Sequence, residues 1–119
     1  MENIVDHFIS FQQQFRILHW QTKSYARHKA YGEFYDDFGD LMDEFIESHM
    51  GKYGRIKTGG NIEISNMNDV QIKDYLDELE QFLIELTEHY DSTKDSDLLN
   101  IRDEMLGKVN KLKYLLTLD

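Results

Sequence analysis

Apolar residues recur along this chain at intervals of three and four, the period of an amphipathic helix. A first run takes Ile4, Phe8, Phe11, Phe15, Leu18 and Thr22. A break around Lys23 to Arg27 separates it from a second run through Tyr31, Phe34, Phe38, Leu41, Phe45 and His49, which stops at Gly51 with Gly54 close behind. A third run repeats at Ile72, Leu76, Leu79, Leu83, Leu86 and Tyr90, with Asn68 or Asp69 placed ahead of it as an N-cap. The fourth opens after "DSTKDSD" and takes Leu98, Ile101, Met105, Val109, Leu112 and Leu116. No stretch alternates as a half-buried strand does, and "NIEIS" amounts at most to a short extended piece.

Four such helices predict an all-α fold, a four-helix bundle of one domain spanning residues 1–119. Short turns within each pair of helices predict two antiparallel hairpins. Between the hairpins lies "GKYGRIKTGGNIEISNMN". Fully extended, a connection of that length reaches ~50 Å, enough to return along a helix of ~35 Å. A long crossover of this kind lets the second and third helices run parallel. Its Lys52, Arg55 and Lys57 among Gly51, Gly54, Gly59 and Gly60 fit neither a Walker A loop nor a dinucleotide fingerprint, so it reads as a solvated connector.

Composition narrows the chemistry. The chain has no proline, which favours long helices, and no cysteine, which removes disulfides, thiol catalysis and cysteine-ligated metal. The opening "MENIVDHFISFQQQF" lacks the unbroken apolar run of a signal peptide, and no segment is apolar over a membrane-spanning length. A net charge of -10 opposes nucleic acid and anionic membranes as partners and favours cations. The expectation is a cytoplasmic protein.

The chemistry-bearing stretch is "LHWQTKSYARHKAYGEFYDDFGDLMDEFIE", which holds His19, His28, Asp43 and Glu47. Asp43 and Glu47 are four apart and share one helix face. His28 lies fifteen residues before Asp43, about 22 Å along a helix, whereas His19 is its neighbour across the turn. Two histidines therefore sit at one end of the hairpin and two acids toward the other. A twofold dimer with the second helices antiparallel resolves this: each site takes His19 and His28 from one chain and Asp43 and Glu47 from the other. Imidazole nitrogen with carboxylate oxygen suits iron(II), with zinc or manganese as competitors. His7, His49 and His89 read as structural or solvated, and Trp20, Tyr25, Tyr31 and Tyr35 as packing residues. A within-chain site built on Glu85, Glu88 and His89 lacks the Glu-x-x-His spacing and a matching pair on the other helices.

"LHW", a spaced second histidine and "YDDFGDLMDEFIE" together resemble the miniferritins, the Dps proteins of the ferritin-like superfamily. Asp43, Glu44 and Glu47 match that family's helix-two motif, and Trp20 matches the tryptophan beside its first histidine. The resemblance implies a ferritin-like bundle with a ferroxidase site shared across a twofold interface, oxidising iron(II) to iron(III) with peroxide or oxygen. A weaker likeness is to small ferritin-like proteins of large phages, which implies the cytoplasm of an infected bacterial cell. The match covers residues 18–47. The two histidines are closer together than in the family, and Gly32 stands where it has a further carboxylate, a role left to Glu33 or Asp36. The crossover has no evident middle helix, and a basic DNA-holding tail is missing. The alternative is a helical-bundle interaction module on the same scaffold without iron chemistry.

Overall fold

The computed structural model describes residues 3–118, and helices account for all the regular structure among them. Helix α1 (Ile4–Gln21) is capped by Asn3, whose side chain accepts from the Asp6 backbone N–H. Helix α2 (Tyr25–Tyr53) is capped by Ser24 on the Arg27 N–H, and Gly54 ends it with a positive φ of 93°. The expected break at Lys23 to Arg27 is shorter than the sequence indicates. The turn is Thr22–Ser24, because the Ser24 cap and an Asp69 bond to the Thr22 hydroxyl let α2 start at once.

Helix α3 (Ile72–Glu85) tightens into a 3-10 turn, Leu86–Glu88. The buried Arg102 sits there, donating to the Leu83 carbonyl and the Thr87 hydroxyl at the end of the helix. Neither expected residue is the N-cap of α3, which is Gln71 with no side-chain cap bond; Asn68 instead organises the turn before it. It accepts from Val70 and Gln71 N–H while Gln71 returns a bond to the Asn68 N–H, a reciprocal capping box one turn ahead of α3. Helix α4 (Ser96–Leu115) completes the bundle.

The apolar runs meet as one core. Phe8, Phe15, Tyr31, Phe38, Phe45, Leu76, Leu79, Leu83, Leu98, Met105 and Val109 are fully enclosed. The Phe8 ring lies 5.4 Å from Phe45 and edge-on to Phe82 at 5.2 Å. Tilted and edge-on aromatic pairs of this sort add about 0.5–1.5 kcal/mol each beyond their buried area.

The crossover is exposed to solvent along most of its length, as expected of a connector, but it is also tied to α1 by side chains. Asn3 binds the Lys57 carbonyl, Asp6 accepts from the Thr58 hydroxyl and from Gly59 and Asn61 N–H, and Ser10 accepts from Glu63 N–H. Gln14 uses both ends of its amide on Ser65, donating to the carbonyl and accepting from the N–H at 2.9 Å each. Gln21 reaches Asn66, and Thr22 reaches Asp69. Residues 57–69 thus run up α1 as an extended strap held by side chains instead of by a neighbouring strand. "NIEIS" belongs to that strap and forms no strand among the described residues.

These bonds also fix direction. The strap begins beside Asn3 and ends beside Thr22. Asp95 ahead of α4 bonds Tyr53 at the far end of α2, and Leu116 meets Arg27 at its start. The helices therefore run up, down, down and up, with α2 and α3 parallel.

Candidate functional site

The α1–α2 turn brings His19 and His28 face to face. Their rings stack at 3.8 Å between centroids and 16° between planes. Each ring bonds the other residue's backbone: His19 Nδ1 to the His28 carbonyl at 2.6 Å, and His28 Nδ1 to the His19 carbonyl at 2.7 Å. A carbonyl oxygen brings no proton, so each Nδ1 carries one and donates it. In the neutral ring that leaves the Nε2 lone pair. No hydrogen bond engages either Nε2 among the described residues. A ring fixed through Nδ1 by a carbonyl, with Nε2 left over, is the usual preparation of a metal-ligating histidine.

Gly32 explains how the pair fits. A Cβ at position 32 would stand 2.8 Å from His19 Cε1 and 2.9 Å from Nδ1, closer than such atoms approach. The glycine is therefore the slot for the first imidazole, and a carboxylate there would exclude it. Glu33 is turned toward α4 and pairs with Lys111 at 3.3 Å. Asp36 is exposed on the outer side of α2.

Asp43 and Glu47 are exposed too, on the far half of an unbroken α2. Asp43 lies fifteen residues beyond His28, about 22 Å along the helix, and Glu47 one turn farther. The fold unites the two histidines and keeps the two acids apart from them. Among the described residues of one chain, no three His, Cys, Asp or Glu side chains come within reach of a common ion.

The aromatic surroundings divide. Tyr31 is buried, its hydroxyl bonded to Asp69 and reached by Arg27, and burial raises its pKa to about 12. Tyr35 is partly buried beneath Arg16, whose guanidinium lies 4.5 Å from the ring centre. The packing role expected for Trp20 and Tyr25 fails, since they are 65% and 73% exposed. They flank the turn at positions turned away from the core, where Arg16 lies 5.5 Å over Trp20 and Lys29 lies 5.6 Å over Tyr25.

A second polar cluster, not anticipated from sequence, lies at the opposite end. Asp95 is buried and accepts from the Tyr53 hydroxyl, the Asp91 N–H at 2.9 Å and Lys52 at 3.3 Å. The Tyr53 hydrogen bond leads the causes that hold its carboxyl below the usual range. Nearby, His49 Nδ1 meets the Tyr90 hydroxyl at 2.8 Å, and burial lowers the histidine's pKa. Lys52 also reaches Asp97, so the cluster ties α2 to α4. The one sequence signal for it is the acid-rich "DSTKDSD" facing "KY" at the end of α2.

No helix among the described residues is long and apolar enough to cross a membrane. The chain shares 33% identity over 111 residues with an uncharacterized 14.6 kDa protein of the mobD-ri intergenic region of Enterobacteria phage T4, a match covering 91% of this chain and 80% of that protein. No solved structure matches it significantly. Residues 19–116 match the family of unknown function DUF5856, a span that begins at His19 and takes in α2, the strap, α3 and α4. The chain belongs to the DUF5856 family.

Proposed function

We propose that two copies pair about a twofold axis through the α1–α2 hairpin and hold iron(II) between them. Each site takes His19 and His28 from one copy and Asp43 and Glu47 from the other. The observation that carries this reading is the reciprocal Nδ1–carbonyl pair, which fixes two imidazoles and leaves both Nε2 atoms without a partner among the described residues. Iron is the substrate here. Carboxylate oxygens stabilise iron(III) over iron(II), so transfer to an oxidant becomes easier once the acids of the second copy are in place. With peroxide, two iron(II) each give one electron, the O–O bond breaks, and two protons complete two waters. Zinc or manganese would compete for the same donors. The ferritin-like assignment belongs to this proposal and draws support from the parallel α2 and α3 joined by a long crossover. A phage relative fits action in an infected bacterial cell.

Mutating Asp43 and Glu47 together to alanine removes stoichiometric iron(II) binding and iron oxidation followed by absorbance, and leaves the helical circular dichroism unchanged. Retained one-to-one iron binding would sink the proposal.

One observation favours a second reading, a bundle module without iron chemistry. The His28 ring also satisfies a carbonyl in the last turn of α1, so the stacked pair staples the hairpin whether or not metal binds. Purified protein that stays inert under excess iron(II) selects this reading.

A further inference from the structure

Charge along the α1–α2 hairpin is sharply segregated. From His7 to Gly32 there is no acidic residue, and Arg16, Lys23, Arg27 and Lys29 supply four positive charges. From Glu33 to Glu47 there is no Lys or Arg, and seven acids follow one another. Two of those acids are neutralised within the chain: Glu33 pairs with Lys111 at 3.3 Å and Asp37 with Lys108 at 3.6 Å, both from α4. Asp36, Asp40, Asp43, Glu44 and Glu47 make no ion pair among the described residues, and the four cations make none either. The unpaired charges of the hairpin are thus complementary to one another and lie too far apart to meet within one chain.

Of the cations, Lys29 shares a surface with those acids, whereas Arg27 is turned inward to the Tyr31 hydroxyl and the Leu116 carbonyl. Lys29, Asp36, Asp40, Asp43 and Glu47 recur at seven, four, three and four residues, one stripe of α2 turned from buried Phe34, Phe38 and Phe45. We infer that this stripe is a self-complementary interface whose register is set by charge: the basic turn of one copy docks on the acidic half of α2 of a second copy, antiparallel. The inference rests on the twofold pairing proposed above but not on the metal. If His28 is opposite the second copy's Asp43, the axis passes beside Tyr35 and Asp36. Arg16, stacked on Tyr35, then lies beside the second copy's Asp36, which removes the repulsion of two Asp36 side chains at the axis. Exposed Trp20 and Tyr25 frame the basic end, where aromatic residues serve as interface anchors. The same arrangement reversed to parallel sets acid against acid, so charge selects the orientation that would complete both sites.

Two double variants test this in chelator, so that metal plays no part. Lys23→Glu with Lys29→Glu cancels the positive charge of the basic end, since Arg16 and Arg27 are then matched by two acids, and Asp40→Lys with Glu44→Lys cancels most of the negative charge of the acidic half; circular dichroism checks the fold. Sedimentation should find wild type dimeric at low salt, with dimer dissociation strengthened at least about tenfold between roughly 0.05 and 0.5 M salt. Each variant alone should be monomeric at the concentration where wild type pairs, and an equal mixture should form dimers of one copy each. A monomeric wild type, a variant that still self-pairs, or a mixture that stays monomeric would overturn the inference. Iron binding by wild type is measured separately. Dimers that pair by charge yet bind no iron would leave this interface standing and remove the metal reading.

Discussion

Gly32 shows how a single residue reads differently in one dimension and in three. Along the sequence it is a missing carboxylate; in the fold it is the space His19 occupies. Inside a helix, glycine is ordinarily a weak point, and alanine there gains about 0.5–1 kcal/mol. A Cβ added to Gly107 of α4 would meet nothing within 4 Å, so Gly107→Ala should raise stability by about that amount. Gly32→Ala should do the opposite and lower it by about 1–3 kcal/mol, as the new methyl displaces the imidazole. Urea unfolding of the two variants side by side gives the comparison, and a Gly32→Ala protein as stable as Gly107→Ala would remove the slot from the account. The reciprocal histidine bonds were not legible in the sequence. Spacing made His19 and His28 neighbours across the turn, but ring orientation depends on where Ser24 caps α2, a matter of one or two residues.

At the scale of elements, the periodic apolar positions identified the core because burial of large side chains dominates helix packing, and Phe15, Phe38, Leu79 and Met105 are enclosed as their spacing requires. The strap was illegible for the complementary reason. Its anchors, Asp6, Ser10 and Gln14, recur at four-residue spacing on α1, yet polar residues on a helix ordinarily face water and carry no such message. Gln14 is 1% exposed and holds Ser65 by two hydrogen bonds. Gln14→Ala should therefore cost about 1–2 kcal/mol and speed amide exchange at Ser65. Acid should loosen the same element and the α2–α4 tie. The Thr58 hydroxyl bond leads the causes that lower the Asp6 pKa, and the Tyr53 hydroxyl bond those that lower the Asp95 pKa, each from 3.8. A carboxylate lowered in the folded state contributes stability that is fully present above its unfolded value and is lost as pH falls through its folded value. The urea midpoint should thus hold between about pH 7 and 5 as far as these groups are concerned, then fall below 3.8, and Asp6→Asn with Asp95→Asn should shrink that fall.

At the scale of the whole molecule, 43 Å in its longest extent, the proposed function rests on what one chain leaves incomplete. Prepared imidazoles stand at one end of the hairpin, acids about 22 Å away, and unpaired charge of opposite sign lies along the same stripe. Helical rise alone made the separation readable from sequence; the proposed pairing surface could be argued only once α4 was seen to pair with Glu33 and Asp37 and to leave the other acids of α2 without an ion pair among the described residues. The central claim is that the site is shared between copies. It is tested most directly by mixing a His19→Ala, His28→Ala chain with an Asp43→Ala, Glu47→Ala chain and counting bound iron(II). Neither chain alone should bind. After exchange about half the dimers carry one copy of each, and each mixed dimer rebuilds one of its two sites, so bound iron should recover to about a quarter of wild type. No recovery in a mixture shown to form mixed dimers, or full binding by either chain alone, would contradict the shared site.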